Sequence, residues 1–315
     1  MRTFSLLACC GGNSFRAIHV PYHDEDIVGN PQGGLLGNAS CDPHRLFGKL
    51  ALMCTLAIYY RSFADYPVVV AANRDEYLAR PALPPTLLCA DPRIVGGKDL
   101  QANGTWLGIS EHGIVAGLLN RRNGDAPNDS ALRSRGLLCL DALKQRTAAD
   151  AAAFVARQRG SDYNPFNLLI ASRDATFVAY NRFAKIEVVE LSAGFHLLTN
   201  LDIDDFECPR ISRSHNRFAE LGHRPEFARD PVANRVALSA LLADHSTQLD
   251  PRSGRPNSLC LHLGDYGTRS SSLIFMGRGQ SQVDHFFAAG APCVASYEPV
   301  PMDHLYVETV TQPPL

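Results

Sequence analysis

The sequence predicts an α+β fold in which antiparallel sheets are covered by pairs of helices. Two observations carry this: β-prone runs come in couples joined by tight turns, and segments with helical spacing come in clusters between those couples. Each element must bury one apolar face, and stacking helices on antiparallel sheets buries both kinds.

Met53 to Tyr60 and Tyr66 to Ala72 are apolar, and the Val68-Val69-Val70 run suits a strand buried on both faces, so the two are expected to pair near a sheet centre. Thr105 to Ser110 and Ile114 to Leu119 flank the hairpin loop Glu111-His112-Gly113. Phe166 to Ser172 and Thr176 to Tyr180 turn at Arg173-Asp174, and Lys185 to Leu191 and Phe195 to Thr199 turn at Ser192-Ala193-Gly194. Ser134 to Arg146 carries Leu137, Leu138, Leu140 and Leu143 at helical spacing, and a second helix follows with Thr147 as N-cap and Asp150 in its first turn. A later couple comprises Pro209 to Leu221 and Asp230 to Ala243, the second opening with Asp230 as cap and Pro231 at the first helical position.

One domain is expected over 53–315. Residues 1–52 contain seven glycines, an acidic clump at Asp24-Glu25-Asp26 and no sustained periodicity. They are expected to be poorly ordered: a removable propeptide, a flexible extension or, the favoured reading, a start assigned too far upstream of Met53-Cys54. Met1 to Cys10 lacks the charged start and continuous apolar stretch of a secretory signal.

A net charge of −2 leaves no electrostatic footprint for nucleic acid. No apolar run approaches the roughly 18 residues of a membrane-spanning helix. The nine cysteines lack the paired short spacings of a zinc site or the density of a disulfide scaffold, so reduced thiols in the cytoplasm are expected. A small-molecule partner follows, and the sequence leaves the oligomeric state open. Cys260-x-His262 has the chemistry of metal ligands, but a lone pair on a strand is ordinarily a core cysteine beside a polar neighbour, so no metal is expected.

Several short segments carry more chemistry than a strand needs. The apolar run Val68 to Ala72 enters Asn73-Arg74-Asp75-Glu76, which is either a solvated turn or the polar mouth of a sheet. Gly96-Gly97-Lys98-Asp99 and Gly104-Thr105-Trp106-Leu107-Gly108, with the only tryptophan, read as turn glycines plus a core aromatic, and neither has the spacing of a nucleotide-binding loop. Two strands end in asparagine, at Asn120 and Asn200; each side chain suits a turn, or an oxyanion-hole donor at a sheet edge. Arg269 stands among hydroxyls at a strand entrance, where Asp75 or Glu76 would supply the partner a buried arginine requires.

In order, Met53-Cys54-Thr55-Leu56, Asn73-Arg74-Asp75-Glu76, Gly96-Gly97-x-Asp99, Gly104 to Gly108, Gly113 to Asn120 and Tyr266-Gly267-Thr268-Arg269-Ser270-Ser271 resemble the Asn-Arg-Asp-Glu family, also called the transport and Golgi organisation protein 2 family. That family in turn resembles the N-terminal-nucleophile hydrolases, which implies a four-layer αββα sandwich of two antiparallel sheets. The implied relatives in mechanism are the cysteine members that cleave linear amides, such as penicillin V acylases and bile-salt hydrolases. Carried over, the resemblance makes Cys54 the nucleophile, Asp75 the acid that orients its amine, Asn120 and Asn200 the oxyanion-hole donors and Arg269 the late active-site arginine, with Arg74, Glu76 and Trp106 left to bind substrate.

The expected activity is hydrolysis of a small-molecule amide or ester once Cys54 is N-terminal, with no cofactor, because a free α-amine can take the thiol proton. The alternative is a non-catalytic binding and trafficking protein for haem or for lipid and acyl-CoA, a role to which members of the family have been linked.

Overall fold

The computed structural model describes residues 54–121, 128–182, 185–246 and 257–306, together with the backbone of two N-terminal strands. Those two, β1 (Thr3–Cys10) and β2 (Ser14–Pro21), pair antiparallel within a unit of their own, Met1–Gly48. The rest of the expected N-terminal extension lies outside the described residues.

In the second unit, β3 (Thr55–Tyr60) and β4 (Val68–Tyr77) pair antiparallel at the centre of one sheet, as their apolar runs predict. β5 (Ala82–Ala90), β6 (Arg93–Asp99), β7 (Leu107–Ser110) and β8 (Val115–Asn120) then meander through a second sheet, continued by β9 (Phe166–Ala171), β10 (Thr176–Arg182) and β11 (Lys185–Glu190). The chain returns to the first sheet with β12 (Gly194–Leu198) beside β3. β13 (His262–Leu263), β14 (Tyr266–Met276), β15 (Val283–Ala288) and β16 (Glu298–Pro299) complete it.

Alternation along the strands builds the layers. Leu56, Ile58, Val68, Val70, Ile274 and Met276 point between the sheets, against Val95, Leu107, Ile109, Val115 and Leu169 of the facing sheet. Their neighbours Ala57, Tyr59, Val69, Ala71, Leu273 and Phe275 point the other way, onto a helical layer. That layer is α3 (Pro209–Gly222), the short α4 (Pro225–Arg229) and α5 (Arg235–Leu242), and the Tyr59 hydroxyl pins it by donating to the Phe218 carbonyl at 2.6 Å. On the far side, α1 (Arg135–Leu143) and α2 (Ala148–Ala156) cover the second sheet through Leu138, Ala142, Ala151 and Val155. The result is the expected four-layer αββα sandwich. Among the described residues no helix is long and apolar enough to cross a membrane.

Thr147 caps α2 as expected, its side chain accepting from the Asp150 N–H at 3.0 Å. Three other expectations are corrected. Lys185–Leu191 and Phe195–Thr199 do not form a hairpin: β11 ends one sheet and β12 ends the other. Their apolar residues belong to different layers, Ile186 packing under α1 and α2 while Leu197 packs under α3, and Gly194 makes the switch at φ +144. Asp230 does accept from the Ala233 N–H at 2.9 Å, the bond expected of a cap, but residues 231–234 form a turn and the last helix begins at Arg235. Gly96 and Gly97 are not turn residues but lie inside β6.

Candidate active site

The polar tetrapeptide Asn73-Arg74-Asp75-Glu76 is the end of β4, not a solvated turn, and strand alternation divides it between the two faces of the sheet. Asn73 and Asp75 turn toward the helical layer, where the Asn73 amide donates to the carbonyls of Leu242 and Leu259 at 2.9 and 2.8 Å. Arg74 and Glu76 instead line a cleft of about 540 Å³ that also takes in Cys54, Asp99, Trp106 and Asn120.

Cys54, immediately before β3, is partly buried in the wall of this cleft. Its sulfur accepts from the Asp75 N–H at 3.4 Å and lies 3.6 Å from the Asp75 carbonyl. The Asp75 carboxylate is fully buried, and it accepts from the Thr268 hydroxyl at 2.6 Å and from Arg210 at 3.4 Å. Burial pushes this carboxyl up to about 6 against the opposing pull of Arg210 and Thr268. Arg210, on α3, also donates to the Thr55 hydroxyl at 3.1 Å, tying Cys54's neighbour to Asp75. Burial and then the Asp75 charge push the Cys54 thiol up to about 12.

The glycine motifs position the cleft's aromatic wall. A Cβ on Gly97 would overlap the Trp106 ring, and one on Gly96 would stand 2.7 Å from the Leu107 carbonyl, so both strand positions exclude any side chain. Arg74 lies 4.2 Å from the Trp106 ring centroid and pairs with Asp99 at 3.1 Å. Although burial works against it, donation from Arg80 and from the Ala102 N–H holds the Asp99 carboxyl below the usual carboxylate range. Glu76 lies 3.7 Å from Arg80 and 4.0 Å from Arg74. The Nη1 of Arg74 is buried with no hydrogen-bond partner among the described residues, in a guanidinium that lines the cleft.

The two asparagines stand at the ends of strands in different sheets. Asn120 ends β8 and lines the cleft. Asn200 is buried just past β12, two residues beyond Leu198, which faces Leu56 across the ladder. Sequence reasoning missed what joins them. Arg121 donates to the Asn167 side-chain oxygen at 3.0 Å, while the Asn167 amide nitrogen donates to the carbonyls of Thr199 and Leu201 at 2.9 and 2.6 Å. The backbone on both sides of Asn200 is therefore fixed to the residue that follows Asn120.

Arg269 does not take the expected acidic partner. It occupies a register shift between Thr268 and Ser270 in the pairing of β14 with β4, and no ion pair joins it to Asp75 or Glu76 among the described residues. The bulge lets Thr268, not Arg269, meet Asp75, and the buried arginine partner comes from α3 as Arg210.

The chain is similar to known proteins in sequence and in fold. The family model for transport and Golgi organisation 2 matches residues 53–286, spanning Cys54, the β4 tetrapeptide and both asparagines. The chain belongs to the transport and Golgi organisation 2 family. Its relatives include the transport and Golgi organization protein 2 homologs of Bos taurus, 30% identical over 240 residues, and of Homo sapiens, 26% identical over 234. Each alignment covers 67% of this chain and 82% of the relative. Among solved structures, an arginine-to-leucine variant of conjugated bile acid hydrolase from Clostridium perfringens superposes with a TM-score of 0.51 at 10% identity, covering 79% of this chain and 92% of that one. This likeness is one of fold, the N-terminal-nucleophile hydrolase sandwich.

Proposed function

We propose that this member of the family, when Cys54 carries a free α-amine, is a cysteine N-terminal-nucleophile hydrolase that cleaves a linear amide or ester bond of a small acyl substrate. The observation that carries the reading is that Cys54 and Asn120 line one cleft, with Asn200 buried just past the strand β12 that pairs with β3. A terminal amine with pKa about 7.7 to 8.0 is roughly a fifth to a third neutral near physiological pH, and that fraction accepts the thiol proton directly or through one water. The sulfur then bonds to the substrate carbonyl carbon, and the displaced electron pair on oxygen is met by the amides of Asn120 and Asn200. Collapse breaks the bond to the leaving amine or alcohol, which takes the proton held by the α-ammonium, and water hydrolyses the thioester. Arg74 and Trp106 offer a cation and an aromatic face to the rest of the substrate. The free thiols of Cys54, Cys89, Cys139, Cys208, Cys260 and Cys293 suit work in the reducing cytoplasm.

A second reading applies to a chain whose Cys54 amine remains in a peptide bond. With the base blocked and the thiol pushed up to about 12, the cleft would bind haem or an acyl ligand without turning it over. Intact mass and N-terminal sequencing of native protein decide which form exists, and an intact extension before Cys54 sinks the hydrolase reading. On a chain starting at Cys54, an acyl-amide and acyl-ester panel should show turnover that Cys54→Ala abolishes. Haem titration followed by absorbance tests the binding reading.

A further inference from the structure

We propose that His245, Cys260, His262 and Cys293 form a four-ligand site for a borderline-soft divalent cation, zinc above all, on the opposite side of Asp75 from the catalytic thiol. In sequence, Cys260-x-His262 is a pair without further ligands. The fold supplies two more: His245 from the segment after α5, and Cys293 from the loop after β15. One ligand atom from each of the four lies within 4.8 Å of all the others.

Three of the four ligand atoms have the edge lengths of a tetrahedral site. Zinc with sulfur at about 2.3 Å and imidazole nitrogen at about 2.0 to 2.1 Å requires sulfur–sulfur edges of about 3.8 Å and sulfur–nitrogen edges of about 3.6 Å. The Cys260 and Cys293 sulfurs are 3.6 Å apart, and the His262 Nε2 lies 3.6 Å from the first and 3.2 Å from the second. The fourth ligand, His245, has its ring centroid 5.2 Å from that of His262 and a ligand atom within 4.8 Å of the other three.

Charge supports the same cation. Two thiolates neutralise a divalent ion, two neutral imidazoles complete its shell, and the two thiol protons leave to solvent on binding. Four protein ligands leave no open position, so the ion is structural. The ligand segments are also held in place: the Cys260 N–H donates to the Asp244 carbonyl at 3.0 Å, and the Ser246 N–H donates to the Ser258 hydroxyl oxygen at 3.0 Å.

The ion would brace the acid side of the active site. Leu261, between the two ligands Cys260 and His262, donates its N–H to the Thr268 hydroxyl oxygen and accepts from the Thr268 N–H, both at 2.9 Å. Thr268 in turn donates to Asp75. Fixing Leu261 on both sides thus fixes Thr268 and, through it, Asp75.

The test uses the full chain, purified under reducing conditions without chelator and reconstituted with zinc chloride. Elemental analysis should find one zinc per chain, and cobalt(II) in its place should give the intense visible bands and thiolate charge-transfer absorption of a tetrahedral sulfur-nitrogen site. Cys293→Ser and His262→Ala change exposed side chains, so folding should survive by circular dichroism while zinc affinity falls by more than about tenfold. Absence of stoichiometric zinc, equal binding by the variants, or a Cys260–Cys293 disulfide that persists with zinc and reductant present overturns the proposal. None of these measurements depends on catalytic turnover.

Discussion

Asp75 meets Cys54 with its peptide group, whose N–H lies 3.4 Å and carbonyl 3.6 Å from the sulfur, while its carboxylate is bound by Arg210 and Thr268. One residue thus sets the position of the thiol through backbone and its electrostatics through side chain. Burial and then the negative carboxylate both oppose a thiolate at Cys54.

The first prediction concerns thiol reactivity. With residues before Cys54 attached, a thiol pushed up to about 12 exists almost wholly protonated at neutral pH. Its alkylation by iodoacetamide, followed peptide by peptide with mass spectrometry, should accelerate about tenfold per pH unit from about pH 7 upward with no plateau below about pH 10. In a chain beginning at Cys54 the profile should level off near neutrality. Identical profiles for the two forms would remove the amine from the mechanism.

The second prediction is a pH dependence of stability. A carboxyl raised to about 6 in the fold from 3.8 binds more protons in the native than in the unfolded chain between those values, so its contribution to stability rises as pH falls. Chemical denaturation of wild type and Asp75→Asn at about pH 7 and about pH 4 should show wild type gaining on the variant by up to about 3 kcal/mol toward the lower pH. A difference that stays constant with pH would mean Asp75 titrates as an ordinary carboxyl.

The third prediction uses the only tryptophan as a reporter. Gly97→Ala places a methyl group where the Trp106 ring lies, and the strand backbone of β6 cannot retreat without breaking its ladder. Overpacking of this kind costs about 1 to 3 kcal/mol. Displacing the ring also removes the surface on which Arg74 rests. Equilibrium unfolding should register the lost stability, and the intrinsic emission should shift as the ring leaves its seat. Unchanged emission and stability would show that the glycine is dispensable.

Much of this site could be read from the chain because its parts are written as short strings. Asn73 to Glu76, Gly96 to Asp99 and Gly104 to Gly108 each hold several participants at consecutive positions, and they meet as Arg74, Asp99, Trp106 and Gly97. Arg210 and Asn167 are single letters whose partners lie far along the chain, 135 residues away for Arg210 to Asp75. Each nevertheless left a physical trace: an arginine beside Ile211 on the buried face of a helix, and an asparagine inside the apolar strand Phe166 to Ala171. That Arg269 does not pair with Asp75 or Glu76 has a different origin. A register shift beside it alters which residue faces Asp75, and alternation cannot show a bulge in advance. His245 and Cys293 could not be read as neighbours of Cys260-x-His262 for a third reason, because they come close to it only after three separate segments have folded.

The last prediction separates positioning from binding. Asn167 is fully buried, holds the carbonyls on either side of Asn200, and accepts from the arginine that follows Asn120. Asn167→Ala leaves every group that would touch substrate in the sequence but frees two carbonyls and a guanidinium nitrogen from their partner, at a cost of about 1 to 3 kcal/mol in stability. If Asn120 and Asn200 receive the oxyanion, their misalignment weakens a contact made only in the transition state, so kcat should fall, toward the roughly hundredfold loss seen when one such donor is removed, while KM changes little. Steady-state kinetics on the chain starting at Cys54, beside Asn120→Ala and Asn200→Ala, checks this. The double variant Asn167→Ala/Asn200→Ala should be little worse than Asn200→Ala, because Asn167 acts through Asn200. Full additivity between the two would assign Asn167 a merely structural role.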